Sequence, residues 1–174
     1  MTLARGIARN VRHAEEIMSI QINIGDHKSI YPSMLVPVPL QHRWATSWAR
    51  SEAKRIAANV KTADKYFMSL GKKRSLTNLL ADRRIWINYA VDLPIRGIRQ
   101  DGSNDIGIGE LAYLRGKDMV LATLIHELAH IAGAPGGKSR AAEEALIHCR
   151  LGKHSEAKTG VDDPDTLFDP DARG

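Results

Sequence analysis

Leu121-Ala122-Thr123-Leu124-Ile125-His126-Glu127-Leu128-Ala129-His130-Ile131-Ala132-Gly133 is the stretch on which the reading of this chain turns. Leu121, Leu124, Ile125, Leu128, Ile131 and Ala132 recur at helical spacing, which predicts a half-buried helix. Asp118 is the expected N-cap, and Gly133 followed by Pro135 is the expected stop. Residues four apart on a helix lie one above the other, so His126 and His130 can aim two imidazole nitrogens at one metal ion. Glu127 stands beside them, where a carboxylate can take a proton from a water activated by the metal and hand it to a leaving group. The bland alternative is an amphipathic helix with a polar trio on its wet face. Apolar residues on both sides of the trio argue against it, because polar groups left unpaired there are costly.

The His126-Glu127-x-x-His130 spacing resembles that of the zincin metallopeptidases, and the resemblance runs from about Ile106 to Leu151. It implies Zn2+ as cofactor, His126 and His130 as metal ligands and Glu127 as the catalytic base. The continuation to Gly136 is also similar to the longer metzincin motif, but Gly136 occupies the place of that motif's third histidine and has no side chain to ligate. The resemblance therefore points to gluzincins, in which a glutamate on a following helix completes the site. Ser139 can cap such a helix, and Ala141, Ala142, Ala145, Leu146 and Cys149 share one face of it.

Glu143, Glu144 and His148 are the candidates for the third ligand. On a helical wheel Glu144 and His148 share one flank of the apolar face, while Glu143 lies on the other, near Arg150. Glu144 is favoured, and Glu144-Ala145 also resembles the Glu-Ala of the ImmA/IrrE-type metallopeptidases; His148 is the rival. A catalytic zinc needs three protein ligands and an open position for water, so Cys149 reads as a small buried hydrophobe. His154 and Tyr113 are further candidates as oxyanion donors.

The rest of the chain reads as an α+β fold, mostly helical, with a short sheet beside the His-Glu-x-x-His helix. Leu3 to Ile20 has helical periodicity, Gly25 to Leu40 is a Pro-rich irregular linker, and Gln41 to Leu70 is the longest helical signal. Trp44, Trp48, Ile56, Val60, Tyr66 and Phe67 are expected to pack against the catalytic helix. Arg84 to Val91 alternates as a strand that Pro94 ends, and Gly107 to Leu114 is expected as a second strand. Residues 1–157 are read as one domain and residues 158–174 as an acidic tail, rich in Asp and Pro.

The 174 residues, 43% hydrophobic and 26% charged, suffice for a core without disulfides, and the single cysteine excludes an internal one. Charge interrupts the amino terminus before any apolar run develops, so neither a signal peptide nor a membrane span is expected. The expected location is the cytoplasm, although export without a cleaved signal would look the same. An excess of 25 Lys and Arg over 20 Asp and Glu is concentrated before the motif, at Arg50 to Arg55, Lys61, Lys65, Lys72 to Arg74 and Arg83 to Arg84. Glu52, Asp64 and Asp82 are interspersed, which favours a solvated face over a nucleic-acid surface.

The leading expectation is a zinc-dependent metallopeptidase acting on a protein or peptide substrate. A peptidoglycan-type amide hydrolase would use the same site. A non-enzymatic module binding nucleic acid or protein would not need it.

Overall fold

The computed structural model describes residues 19–91, 97–99, 102–136 and 140–152. Of the helix expected over Leu3 to Ile20, the part up to Met18 falls outside these residues, as do Pro94, Ser139, His154 and the acidic tail, while Ser19 and Ile20 are not helical. The elements run β1 (Gln21–Ile22), β2 (Leu35–Val36), α1 (Leu40–Asn59), α2 (Lys61–Ser69), α3 (Leu76–Leu80), β3 (Trp86–Ala90), β4 (Gly97–Arg99), β5 (Asp105–Gly109), α4 (Glu110–Leu114), α5 (Lys117–Ile131) and α6 (Arg140–His148). Helices and a small mixed sheet are thus combined, as the α+β expectation has it.

The sheet order is β1-β3-β5-β4, with β2 on the same edge of β3 as β1. β3 and β5 are parallel, pairing Ile87 with Ile106 and Tyr89 with Ile108, while β4 returns antiparallel to β5. Because side chains alternate across a strand, Ile87, Tyr89, Ile106 and Ile108 share one face with Gly97 and Arg99. That face meets the helices. Trp86, Asn88 and Asp105 belong to the other, which the loop between β1 and β2 covers: His27 stacks on Trp86 at 4.3 Å and, with Ser29, bonds the Asp105 carboxylate.

α5 is the central element, and every residue from Met119 to Ile131 is buried. It lies among α1, α6, β4 and β5. The expected half-buried helix is therefore enclosed on all sides, as a helix apolar nearly all round must be. Its cap also differs from the expectation. Gly116, at φ 99°, is the N-cap, and Asp118 sits in the first turn, where its charge complements the positive end of the helix dipole.

Three further expectations are corrected. The long helical signal divides at Val60, whose φ and ψ of −105° and 92° break α1 from α2. The second strand ends at Gly109, and Glu110–Leu114 turn helical. Ile56 and Phe67 enter the core, but Trp44 stands 68% exposed. Trp48 is partly buried and carries the Lys117 ammonium 4.1 Å over its ring. Among the described residues no helix is long and apolar enough to cross a membrane.

Candidate metal centre

The site is built at the carboxyl end of α5. There the chain leaves the helix through Gly133, at φ 105°, a conformation open to glycine and strained for residues with a Cβ. Gly133 N donates to the His130 carbonyl at 3.1 Å and Ala134 N to that of Ala129 at 2.9 Å, the paired bonds of a Schellman motif. The turn is locked from outside by Lys72, whose backbone N–H donates to the Ala132 carbonyl at 2.8 Å. One product of this turn is chemical: it brings the Ala134 carbonyl to 3.3 Å from His130 Nδ1.

His126 and His130 are each only 8% exposed. Their Nε2 atoms converge to 3.1 Å, with the rings edge to face at 4.8 Å between centroids. His126 Nδ1 lies 3.1 Å from Glu143 Oε1. Both outer nitrogens therefore face atoms that only accept, a carbonyl and a carboxylate, which places the ring proton on Nδ1 in each case. Both Nε2 atoms are then left with lone pairs aimed at each other, an arrangement that calls for a cation between them, either a shared proton or a metal ion. Two nitrogens held ~2.0–2.1 Å from one tetrahedral ion stand about 3.3–3.4 Å apart, close to the spacing found. Histidines whose outer nitrogens are fixed by a carboxylate or a carbonyl are the ordinary setting of metal ligands.

Glu127 is 5% exposed and follows His126 on the helix, beneath β4. A Cβ built on Gly97 would come 2.7 Å from Glu127 Oε1 and 2.4 Å from the Thr123 methyl. Two residues on, Arg99 Nη1 donates to the His130 carbonyl at 3.1 Å, a cation at the negative end of α5. The strand is thus seated on the helix at both ends of the His-Glu-x-x-His turn.

The third-ligand candidates divide. Glu144, the favoured one, turns away from His126: its carboxylate accepts from Arg140 at 2.8 Å and lies 3.3 Å from the Tyr66 hydroxyl, whose proton is shared with the nearer Ala141 carbonyl at 2.8 Å. His148, the rival, stacks on Tyr66 at 4.3 Å. The flanks of α6 are as the wheel divides them, but Tyr66 of α2 covers the flank of Glu144 and His148, and the flank of Glu143 faces α5. Burial, and then the Glu144 charge, push the Tyr66 hydroxyl up to about 12. Among the described residues no three His, Cys, Asp or Glu side chains stand together as a finished ligand set; His126, His130 and the neighbouring Glu143 are the nearest approach to one.

Two other candidates are placed elsewhere. Thr46 gives its hydroxyl proton to the His42 carbonyl, so the Tyr113 hydroxyl donates to Thr46 at 2.9 Å, towards the amino-terminal end of α5. Cys149 is buried against the core, where burial pushes its thiol up. The Ala134 carbonyl and Gly97 carry no side-chain signal in the sequence, and only the fold brings them to the site. Comparison of the chain with protein-family profiles, with curated proteins and with solved structures gives no match.

Proposed function

We propose that the chain is a zinc-dependent metallopeptidase whose His126 and His130 bind the metal through Nε2 and whose Glu143, rather than Glu144, supplies the carboxylate of the centre. The observation that carries this reading is the 3.1 Å approach of two Nε2 atoms whose outer nitrogens both meet acceptors. In the geometry at hand Glu143 orients His126, and rotation of its side chain offers the same carboxylate as a ligand. A bound zinc ion would supply the Lewis acidity that brings the pKa of a water to about 7 and polarises a carbonyl. Glu127 is the residue that would take a proton from the attacking water as the C–O bond forms and return it to the amide nitrogen as the C–N bond breaks. The apolar walls around α5 keep the site's dielectric low, which strengthens each of these interactions. β4 supports a peptide substrate, since its outer side has no strand partner among the described residues and an extended chain can add to such an edge.

Metal content by mass spectrometry and proteolysis of a peptide library test the proposal together. The expected result is one zinc per chain, lost in His126→Ala and weakened at least 10-fold in Glu143→Ala, but kept in Glu144→Ala. Glu127→Gln should keep zinc and lose hydrolysis by a factor of about 10²–10⁴. Activity retained in Glu127→Gln, or no zinc bound by the wild-type chain, would sink the assignment.

A further inference from the structure

We infer that Gly97 is a positioning residue for Glu127, holding the place of the catalytic carboxylate by having no side chain. The inference rests on the metallopeptidase reading for its consequence in catalysis, but on geometry alone for its contact.

Gly97 and Arg99 lie on the face of β4 that meets α5, and Arg99 fixes the strand's height through the His130 carbonyl. The backbone at 97 is outside the left-handed region, so any residue could adopt it, and space alone decides what fits. An alanine Cβ there would meet the Thr123 methyl at 2.4 Å, Glu127 Oε1 at 2.7 Å and Glu127 Cγ at 3.3 Å. The Thr123 methyl hangs on a short β-branched side chain that turns about one bond only. The Glu127 carboxylate is the far end of three rotatable bonds and is the more adaptable of the two groups. A Cβ at 97 therefore moves the base rather than the strand. His126 and His130 lie outside this contact, so the metal ligands stay in place.

Thr123 marks the same contact from the helix side. It is 6% exposed, and its hydroxyl has no hydrogen-bond partner among the described residues. Such a group costs stability. Its methyl, rather than this hydroxyl, is the atom on which β4 closes at Gly97.

The test compares Gly97→Ala with Gly107→Ala. The second adds a Cβ to the neighbouring strand against Leu35 at 2.4 Å and Ile98 at 2.9 Å, on the opposite face of the sheet. Its crowding is similar and its distance from Glu127 is assured. In the metal-free proteins, the ¹³C carboxyl resonance of Glu127, assigned by its loss in Glu127→Gln, should shift in Gly97→Ala and hold its place in Gly107→Ala. In the zinc-loaded proteins, Gly97→Ala should lose kcat about 100-fold, as a displacement of about 1 Å does, with KM and zinc content unchanged. Gly107→Ala should keep kcat within a few-fold. Thr123→Ser, which deletes the opposing methyl, should restore at least tenfold of the loss in the Gly97→Ala background, and this double variant takes the place of the single one if Gly97→Ala does not fold.

An unmoved Glu127 resonance, or equal kcat losses in the two glycine variants, overturns the inference. Failure of the metallopeptidase reading is recognised separately: wild-type hydrolysis is then absent or insensitive to Glu127→Gln, while the resonance still reports the contact.

Discussion

Replacing Gly133 by alanine separates two costs that usually arrive together. Gly133 and Gly116 flank α5, both at positive φ, 105° and 99°. An alanine at Gly133 pays a conformational cost of about 1–2 kcal/mol for the left-handed turn; at Gly116, whose ψ is 173°, the cost is about 1–3 kcal/mol. Their surroundings differ. Nothing lies within 4 Å of a Cβ at Gly116, whereas at Gly133 it would stand 2.7 Å from Lys72 N and 3.1 Å from Gly71 N and Cα. These are backbone atoms and cannot rotate aside, so the turns must part, and the Lys72 N–H to Ala132 carbonyl bond parts with them. Overpacking of this kind adds about 1–3 kcal/mol. With a urea m-value of about 2 kcal/mol/M, the midpoint should fall by about 0.5–1.5 M in Gly116→Ala and by about 1–2.5 M in Gly133→Ala. The same displacement draws the Ala134 carbonyl from His130 Nδ1, so zinc affinity should drop about 10-fold or more in Gly133→Ala alone. A fall of less than about 0.5–1 M in Gly133→Ala, no more than strain alone explains, would refute the reasoning, because the contact with Gly71 and Lys72 would then account for nothing.

Three other outcomes are expected. Thr123→Val removes a buried hydroxyl with no partner among the described residues at nearly constant volume and should raise stability by about 1 kcal/mol in urea titration, with zinc content unchanged. The Asp82 carboxyl is held well below the ordinary carboxylate range, first by its bonds from Arg84 and then by Arg74. Its stabilisation is therefore complete above pH ~4 and lost as pH falls further. Asp82→Asn should cost about 2 kcal/mol at pH 7, with the difference from wild type narrowing below pH ~4 in acid titrations. Tyr66 behaves in the opposite sense: its hydroxyl, raised to about 12, contributes stability that is full below pH ~10 and lost as pH rises through 12. Tyr66→Phe should cost about 1 kcal/mol at pH 8 and flatten the alkaline loss, leaving a part due to Tyr113.

Local pattern carried much of the fold. The alternation of Ile85, Ile87 and Tyr89 gave β3 and the face it turns to the helices, and the apolar spacing from Leu121 to Ile131 gave α5. What escaped was set by neighbours. Val60 belongs to one unbroken helical pattern but takes an extended backbone where α1, which packs on α5, gives way to α2, which packs on α6. Ile108 and Tyr113 both suit a strand, but β3 ends its pairing with β5 at Gly109, so the residues beyond lose their partner and coil. Trp44 is among the apolar residues of the long helical signal that are expected in the core, yet it lies on the side of α1 away from Thr46, Ala49 and Ala53.

The site shows the same division more sharply. His126, Glu127 and His130 were legible because a single helix fixes their relation, and helical geometry is short-ranged. That Glu143 is the acid facing His126 was not, although the wheel set it apart from Glu144 and His148 correctly. Which flank of α6 faces α5 depends on the rotation of one helix about its own axis, and that rotation is fixed by a residue 75 positions away: Tyr66 donates to the Ala141 carbonyl at 2.8 Å and stacks on His148. Removing the hydroxyl in Tyr66→Phe leaves the stacking face and loosens only the bond, so zinc affinity should hold within a few-fold. Tyr66→Ala removes both, frees α6 to turn and should weaken zinc at least as much as Glu143→Ala does. If Tyr66→Ala stays folded and binds zinc as tightly as wild type, the rotation of α6 is held by its apolar face alone, and the choice between Glu143 and Glu144 was in principle readable from that face.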